Sequence, residues 1–171
     1  MNPERTPLAV NVADLLRRPG ARRHEDLQAR VEGVSVVGTW VEADDGVHVE
    51  ANLESVSEGI LVSGTVSAPW HGECRRCLAP LSGAASVEVR ELYERHAREG
   101  ETYPLRHEHV DLEPLAREAL LLELPLAPLC RADCLGICPT CGADLNEGPC
   151  GCAPAARDPR WAALDDLRLG E

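Results

Sequence analysis

The chain has no lysine and no phenylalanine, and only two tyrosines, three tryptophans and one methionine among its 171 residues. A hydrophobic core must therefore be assembled mainly from valine, leucine, isoleucine and alanine. No stretch approaches the ~18 consecutive apolar residues of a membrane span. Met1 to Val10 lacks the charged-then-apolar order of a secretory leader, so the expected location is the bacterial cytoplasm. An excess of positive charge is missing too. Asp and Glu outnumber the basic residues by 29 to 17, all of the latter arginine, for a net charge of −12. Tight nucleic-acid binding relies on many cationic contacts to phosphate, and this balance argues against it.

The charge is unevenly placed. Residues 1–30 carry six arginines against four acids, a balance of +2 that leaves −14 on the rest of the chain. The candidate contacts to RNA or a partner are Arg17, Arg18, Arg22 and Arg23, or the adjacent Arg75 and Arg76. An ordinary solvated surface accounts for the same residues.

What is present begins with β patterning. Residues 1–10 read as a flexible lead. Asn11 is placed to cap a short helix from Val12 to Arg18, stopped by Pro19-Gly20, and residues 21–30 are charged enough to be loop or helix. From Val31 the pattern is β-rich as far as Trp40. Val47, Val49, Ala51 and Leu53 then alternate with polar neighbours, the period-two signature of a strand with one buried face. Asp44-Asp45-Gly46 reads as the turn before it. Ile60 to Val66 and Val87 to Leu92 predict two more strands. The links are too short for βαβ crossovers, so the sheet is expected to be an antiparallel meander. Residues 94–110 read as a polar loop. Asp111 as cap, Pro114 in the first turn, and Leu112, Leu115, Ala116, Ala119, Leu120 and Leu122 at helical spacing predict an amphipathic helix ended by Pro125 and Pro128. Asp158 is placed to cap a last helix carrying Trp161, Leu164 and Leu167. The expected organisation is an N-terminal arm and short helix over 1–30, a sheet with its helix over 31–125, and a cysteine-rich module with a C-terminal helix over 126–171. The fold class is α+β, an antiparallel sheet with flanking helices and a zinc module.

The eight cysteines are the strongest chemical signal: Cys74, Cys77, Cys130, Cys134, Cys138, Cys141, Cys150 and Cys152. In a reducing cytoplasm disulfides are disfavoured, and the spacing suits metal. Structural zinc takes four ligands tetrahedrally, with sulfurs at about 2.3 Å. A Cys-x-x-Cys loop delivers two sulfurs to one ion. Cys138-Pro139-Thr140-Cys141-Gly142 is such a knuckle, with Pro139 stiffening the turn and Gly142 free to take the positive φ its exit needs. Cys74-Arg75-Arg76-Cys77 has the same spacing, and Cys150-Gly151-Cys152 is tighter. Local spacing favours Cys138, Cys141, Cys150 and Cys152 as one site. A second would join Cys74 and Cys77 to Cys130 and Cys134, tying sheet to module. One zinc on four of the six C-terminal cysteines is the rival arrangement. Four sulfurs per site leave no open catalytic position, so the expected cofactor is one or two structural zinc ions. The module has few large apolar residues, chiefly Leu135, Ile137 and Leu145, so ligation would have to supply its order. A redox role for Cys74 and Cys77 lacks the βαβ context of thioredoxin-like motifs.

These motifs resemble those of the YceD-like family. Cys74-Arg75-Arg76-Cys77-Leu78 is similar to its Cys-x-Arg-Cys-Leu element. The stretch from Asp111 to Cys152 is more specific: Arg117-Glu118-Ala119-Leu120-Leu121-Leu122-Glu123-Leu124-Pro125, Leu129-Cys130, Cys134-Leu135-Gly136-Ile137-Cys138-Pro139-x-Cys141-Gly142, Leu145-Asn146 and Cys150-x-Cys152. Asp158-Pro159-Arg160-Trp161-Ala162-Ala163-Leu164 resembles the family ending. The resemblance implies a non-enzymatic role in accumulation of 23S ribosomal RNA and the large subunit. The implied partner is a ribosomal protein, an rRNA precursor or an rRNA-processing factor, with no membrane and no small-molecule substrate. It transfers no catalytic residue.

Other chemistry is sparse. His107 and His109 alternate in a polar stretch, where solvation is the ordinary state, and His71 lies near enough to Cys74 to replace a ligand. No carboxylate spacing singles out an acid–base pair, and there is no phosphate-cradling loop or nucleophile elbow. Leu115 to Leu126 suits a partner groove or core packing. A zinc-ribbon RNA-binding adaptor and, behind it, a thiol redox enzyme are the alternative functions.

Overall fold

The computed structural model describes residues 6–42, 44–153 and 160. In chain order the elements are β1 (Ala9–Asn11), α1 (Ala13–Leu16), β2 (Arg22–Ala29), β3 (Ser35–Val36), β4 (Thr39–Trp40), β5 (Val47–Ser55), β6 (Ile60–Glu73), β7 (Pro80–Glu94), β8 (Tyr103–Pro104), β9 (His109–Asp111) and α2 (Glu113–Glu123). The long β6–β7 hairpin is the spine. One edge of β6 carries β5 and then, further along, β4, while β7 runs along the whole of the other edge. β2 lies outside β5 and β3 outside β4.

The period-two pattern sets the buried face. Val47, Val49, Ala51 and Leu53 of β5 lie on the same face as Ile60, Val62 and Val66 of β6 and Ala85 and Tyr93 of β7, as the register dictates. α2 covers that face with Leu115, Ala116 and Leu120. Each such side chain taken fully out of water is worth about 1.5–3 kcal/mol. Among the described residues Tyr93 is the one buried aromatic. Its hydroxyl donates to the Asp111 carbonyl at 3.0 Å and its ring stacks on Tyr103, centroids 5.1 Å apart. Burial pushes its phenol pKa up.

Several expectations are corrected. Within the expected lead over 1–10, the described residues 6–10 are structured: β1 pairs with β9, and Leu8, Val10 and Val12 are buried because their alternation places them on one side. The charged stretch 21–30, expected to be loop or helix, is strand β2 from Arg22 to Ala29. Its register with β5 sets Arg22 beside Glu54 and Asp26 near His48, so cross-strand pairs at an exposed edge accommodate the charge. Residues 94–110 hold two short strands, and β8 runs parallel to β7, breaking the purely antiparallel expectation. The helix share is small: the described residues form a mostly antiparallel sheet with two helices, and α1 has only four residues. Asn11 and Asp111 act two residues ahead of the amides they hold, accepting from Ala13 N–H at 3.0 Å and Glu113 N–H at 3.1 Å. The helix expected after Asp158 lies outside the described residues.

Candidate functional site

The hairpin tip between Glu73 and Pro80 presents the first Cys-x-x-Cys loop. Cys74 N–H donates to the Ala79 carbonyl at 2.8 Å, and Leu78 N–H donates to the Cys74 carbonyl at 2.9 Å. The second loop repeats the arrangement at the same spacing. Cys138 N–H donates to Ala143 at 2.8 Å, and Gly142 N–H to Cys138 at 2.8 Å. The fifth position is left-handed in both loops, with φ of 75° at Gly142 and 61° at Leu78. Glycine takes that conformation freely. Leucine there costs about 1 kcal/mol or more.

Hydrogen bonds draw the chain after α2 across the hairpin tip. Thr39 Oγ1 donates to Pro125 O at 3.0 Å and Arg75 N–H to Pro128 O at 2.9 Å. The Arg76 guanidinium donates to Cys134 O at 2.8 Å, and Ile137 N–H returns to Arg76 O at 3.1 Å. The result is a quartet of Cys74, Cys77, Cys130 and Cys134, all four sulfurs within 4.8 Å of one another. Cys74 and Cys134 sulfurs are 3.8 Å apart, and those of Cys77 and Cys130 3.7 Å. Four sulfurs placed about 2.3 Å from a central ion would be about 3.8 Å apart. Cys138, Cys141, Cys150 and Cys152 form a second quartet within the same limit. All eight cysteines are free, so the disulfide alternative is not realised.

The electrostatics fit a cation. Backbone N–H groups, led by that of Cys77, lower the Cys74 thiol pKa to about 6 against the effect of burial. Those of Cys141 and Thr140 lower Cys138 to about 6. At Cys134 burial opposes ionisation, yet the Asn146 amide and the Gly136 N–H carry the thiol downward. The crowded neighbours pay the opposite way. Cys130 is pushed up to about 12, chiefly by Cys134, and Cys152 to about 11, chiefly by Cys141. Four thiolates cannot share so small a space alone, and a metal ion at the centre removes the conflict. Tetrahedral all-sulfur sets suit zinc or iron.

Asn146 is the residue that spacing arguments missed. It belongs to the loop of the second quartet, but its Nδ2 donates to Cys134 Sγ of the first at 3.4 Å. Its Oδ1 accepts from Leu135 N–H at 2.8 Å and from Arg131 at 2.7 Å. Together with the Leu145 N–H to Gly136 O bond of 2.9 Å, it joins the two quartets. Its only sequence signal was its place in the Leu145-Asn146 motif. His71 is turned elsewhere, its Nε2 2.9 Å from Asp45. His109 Nδ1 meets the His107 carbonyl at 2.8 Å.

The six arginines singled out for partner contact divide in two. Arg17, Arg18, Arg22 and Arg23 lie near the Ser55–Ile60 end of the sheet, where Gly20 N–H donates to Ser55 O at 2.8 Å. Arg75 and Arg76 follow Glu73 at the opposite end of β6. At the rise of a strand the two groups stand roughly 40 Å apart. Arg22 is paired with Glu54, Arg23 with Asp14 and Glu25, and Arg76 with the Cys134 carbonyl.

A family profile described as "Large ribosomal RNA subunit accumulation protein YceD" matches residues 62–168. That description names an accumulation role and no reaction. An uncharacterized protein of Mycobacterium tuberculosis is 41% identical over 172 residues, 95% of this chain and 82% of that protein. Another from Mycobacterium leprae is 37% identical over 95% of this chain and 78% of its own length. A chloroplastic YCED homolog of Arabidopsis thaliana is 30% identical over 66 residues, 39% of this chain and 21% of that protein. No solved structure matches the chain. Among the described residues no helix is long and apolar enough to cross a membrane.

Proposed function

We propose, from the premise that this chain belongs to the YceD family, that it supports accumulation of 23S rRNA and the large ribosomal subunit by binding a basic ribosomal protein, without catalysis. The observation that carries the binding mode is the charge of −12 on a chain whose family name concerns ribosomal RNA. An acidic protein complements the strongly basic proteins that coat rRNA and is repelled by RNA itself. Eight thiolates holding two divalent ions would take the net charge from −12 to −16, which strengthens both tendencies.

Each quartet takes one structural zinc ion. Four sulfurs fill a tetrahedral shell, so neither ion keeps an open position for substrate, and their work is to order the segment from Cys130 to Cys152. Metal analysis of protein purified without added metal should give two zinc per chain. A well-folded metal-free protein would end this part of the reading.

The functional test is depletion. Cells lacking the protein should lose 23S rRNA relative to 16S rRNA and accumulate fewer large subunits on sucrose gradients. Tagged protein should retain a large-subunit ribosomal protein at low salt and release it as salt rises. Normal subunit levels, or recovery of rRNA with no ribosomal protein, would refute the proposal. The dispersal of the arginines over roughly 40 Å weakens the RNA-adaptor alternative.

A further inference from the structure

β7 has an open side. β6 pairs with it at every residue from Pro80 to Tyr93, but on its other edge β8 reaches only Tyr93 and Glu94. Among the described residues, no backbone group elsewhere in the chain bonds to the stretch from Pro80 to Leu92. A strand edge of this length presents outward-facing N–H and C=O groups at alternate residues and is a template for another strand.

The open edge borders a groove of about 700 Å³. α2 crosses the sheet without covering the outer strip of β7, so Val87 and Val89, on the core-facing side by register, remain only half-buried and form its floor. Glu91 lies beside them. The wall is the exposed side of α2, with Glu118, Leu122 and Glu123; Leu122 is 89% exposed. The lining holds six acidic residues against two arginines.

We infer that this groove and the free edge of β7 take an extended basic segment of a partner protein as an added strand. Main-chain bonds to β7 would supply affinity. Alternate side chains would fall onto Val87, Val89 and Leu122, with arginine or lysine reaching Glu91 and Glu123. The charge of the lining selects the occupant. An acidic peptide or RNA is repelled, and so is a second copy of a chain carrying −12. The inference rests on the binding role proposed above and locates it.

The probe is a fluorescein-labelled peptide of about eight residues alternating arginine and valine, titrated into the full zinc-loaded chain at low salt. The variant is the double substitution Leu122→Arg with Glu123→Arg, both exposed in the last turn of α2, where cations suit the helix dipole and folding should be unaffected. Expected are saturable one-to-one binding and at least about a tenfold loss of affinity in the variant. Two further peptides test the added strand. N-methylation of one alternate set of amides should abolish binding, and methylation of the other set should leave it intact, because an edge strand bonds through one side only. Equal binding by the variant, equal tolerance of both methylation patterns, or equal binding of a glutamate–valine peptide would overturn the inference. So would an rRNA oligonucleotide that competes for the wild type alone, or a wild-type dimer that the variant converts to monomer. A pull-down separates the two proposals. If wild type and variant retain a ribosomal protein equally, the groove is excluded while the function stands. If the peptide binds as described but the wild type retains no ribosomal protein, the function falls and the groove stands.

Discussion

The sheet body and the cysteine tip are held together by different physics. In the body, Val47, Val49, Leu53, Ile60, Val62 and Val66 are fully buried against α2 and the N-terminal strand. In the tip, from Cys130 to Ala153, the buried residues are Cys134, Gly136 and Cys138, while Leu135 and Ile137 are exposed. The body excludes water from apolar surface. The tip gathers sulfur around two points and bridges them with Asn146. One chain thus carries a region whose order comes from burial and a region whose order would come from ligation, joined through Cys74 and Cys77 at the end of β7's hairpin.

The largest effect should come from removing metal. A strong chelator should cost the tip on the order of 10 kcal/mol of ordering free energy. By hydrogen exchange, the amides of Leu135, Ile137 and Leu145 should lose protection while those of Val49, Val62 and Val66 keep it. Simultaneous loss in both regions would show one cooperative unit and dissolve the contrast.

The converse change is Leu53→Ala in the body. It should destabilise by about 2–5 kcal/mol, read from denaturant midpoints, and leave native metal content unchanged. Loss of metal from the folded variant would mean that the tip leans on the core after all.

Asn146→Ala sharpens the comparison within the tip. Removing a donor to a ligand sulfur, and the acceptor of two further bonds, should weaken metal retention about 10–100-fold in competition with a chromogenic chelator. The effect should fall on the first quartet more than the second.

The smallest effect concerns the two knuckles. Leu78→Gly should relieve left-handed strain and stabilise by up to about 1 kcal/mol, while Gly142→Leu should destabilise by a similar amount. A destabilised Leu78→Gly would point to packing by a side chain that is 56% exposed.

Legibility in the sequence followed the strength of local signal. β5 was readable because four apolar residues alternate without interruption, and α2 because its leucines and alanines recur at helical spacing. β2 was hidden because Leu27 and Ala29 are its only apolar residues and its charges are matched by a strand some twenty residues later. β1 and β9 are three residues each, too short for a period to declare itself. At the candidate site, knuckle spacing pointed to metal; the set favoured on local spacing, Cys138, Cys141, Cys150 and Cys152, is one of the two quartets in space, and the other joins residues far apart along the chain.

By itself the sequence determined the family, the valine- and leucine-built sheet, the acidic charge and the two knuckles, since each is written in composition or in residues close along the chain. Only the tertiary structure decided that Cys130 and Cys134 meet Cys74 and Cys77, that Asn146 spans both quartets, and that β7 keeps an edge free beside an acidic groove. These depend on where α2 crosses the sheet and on long-range bonds such as Arg75 N–H to Pro128 O. Such contacts, between residues 11 to 60 positions apart, leave no periodic trace, because the local pattern encodes which face is buried and not what is buried against it.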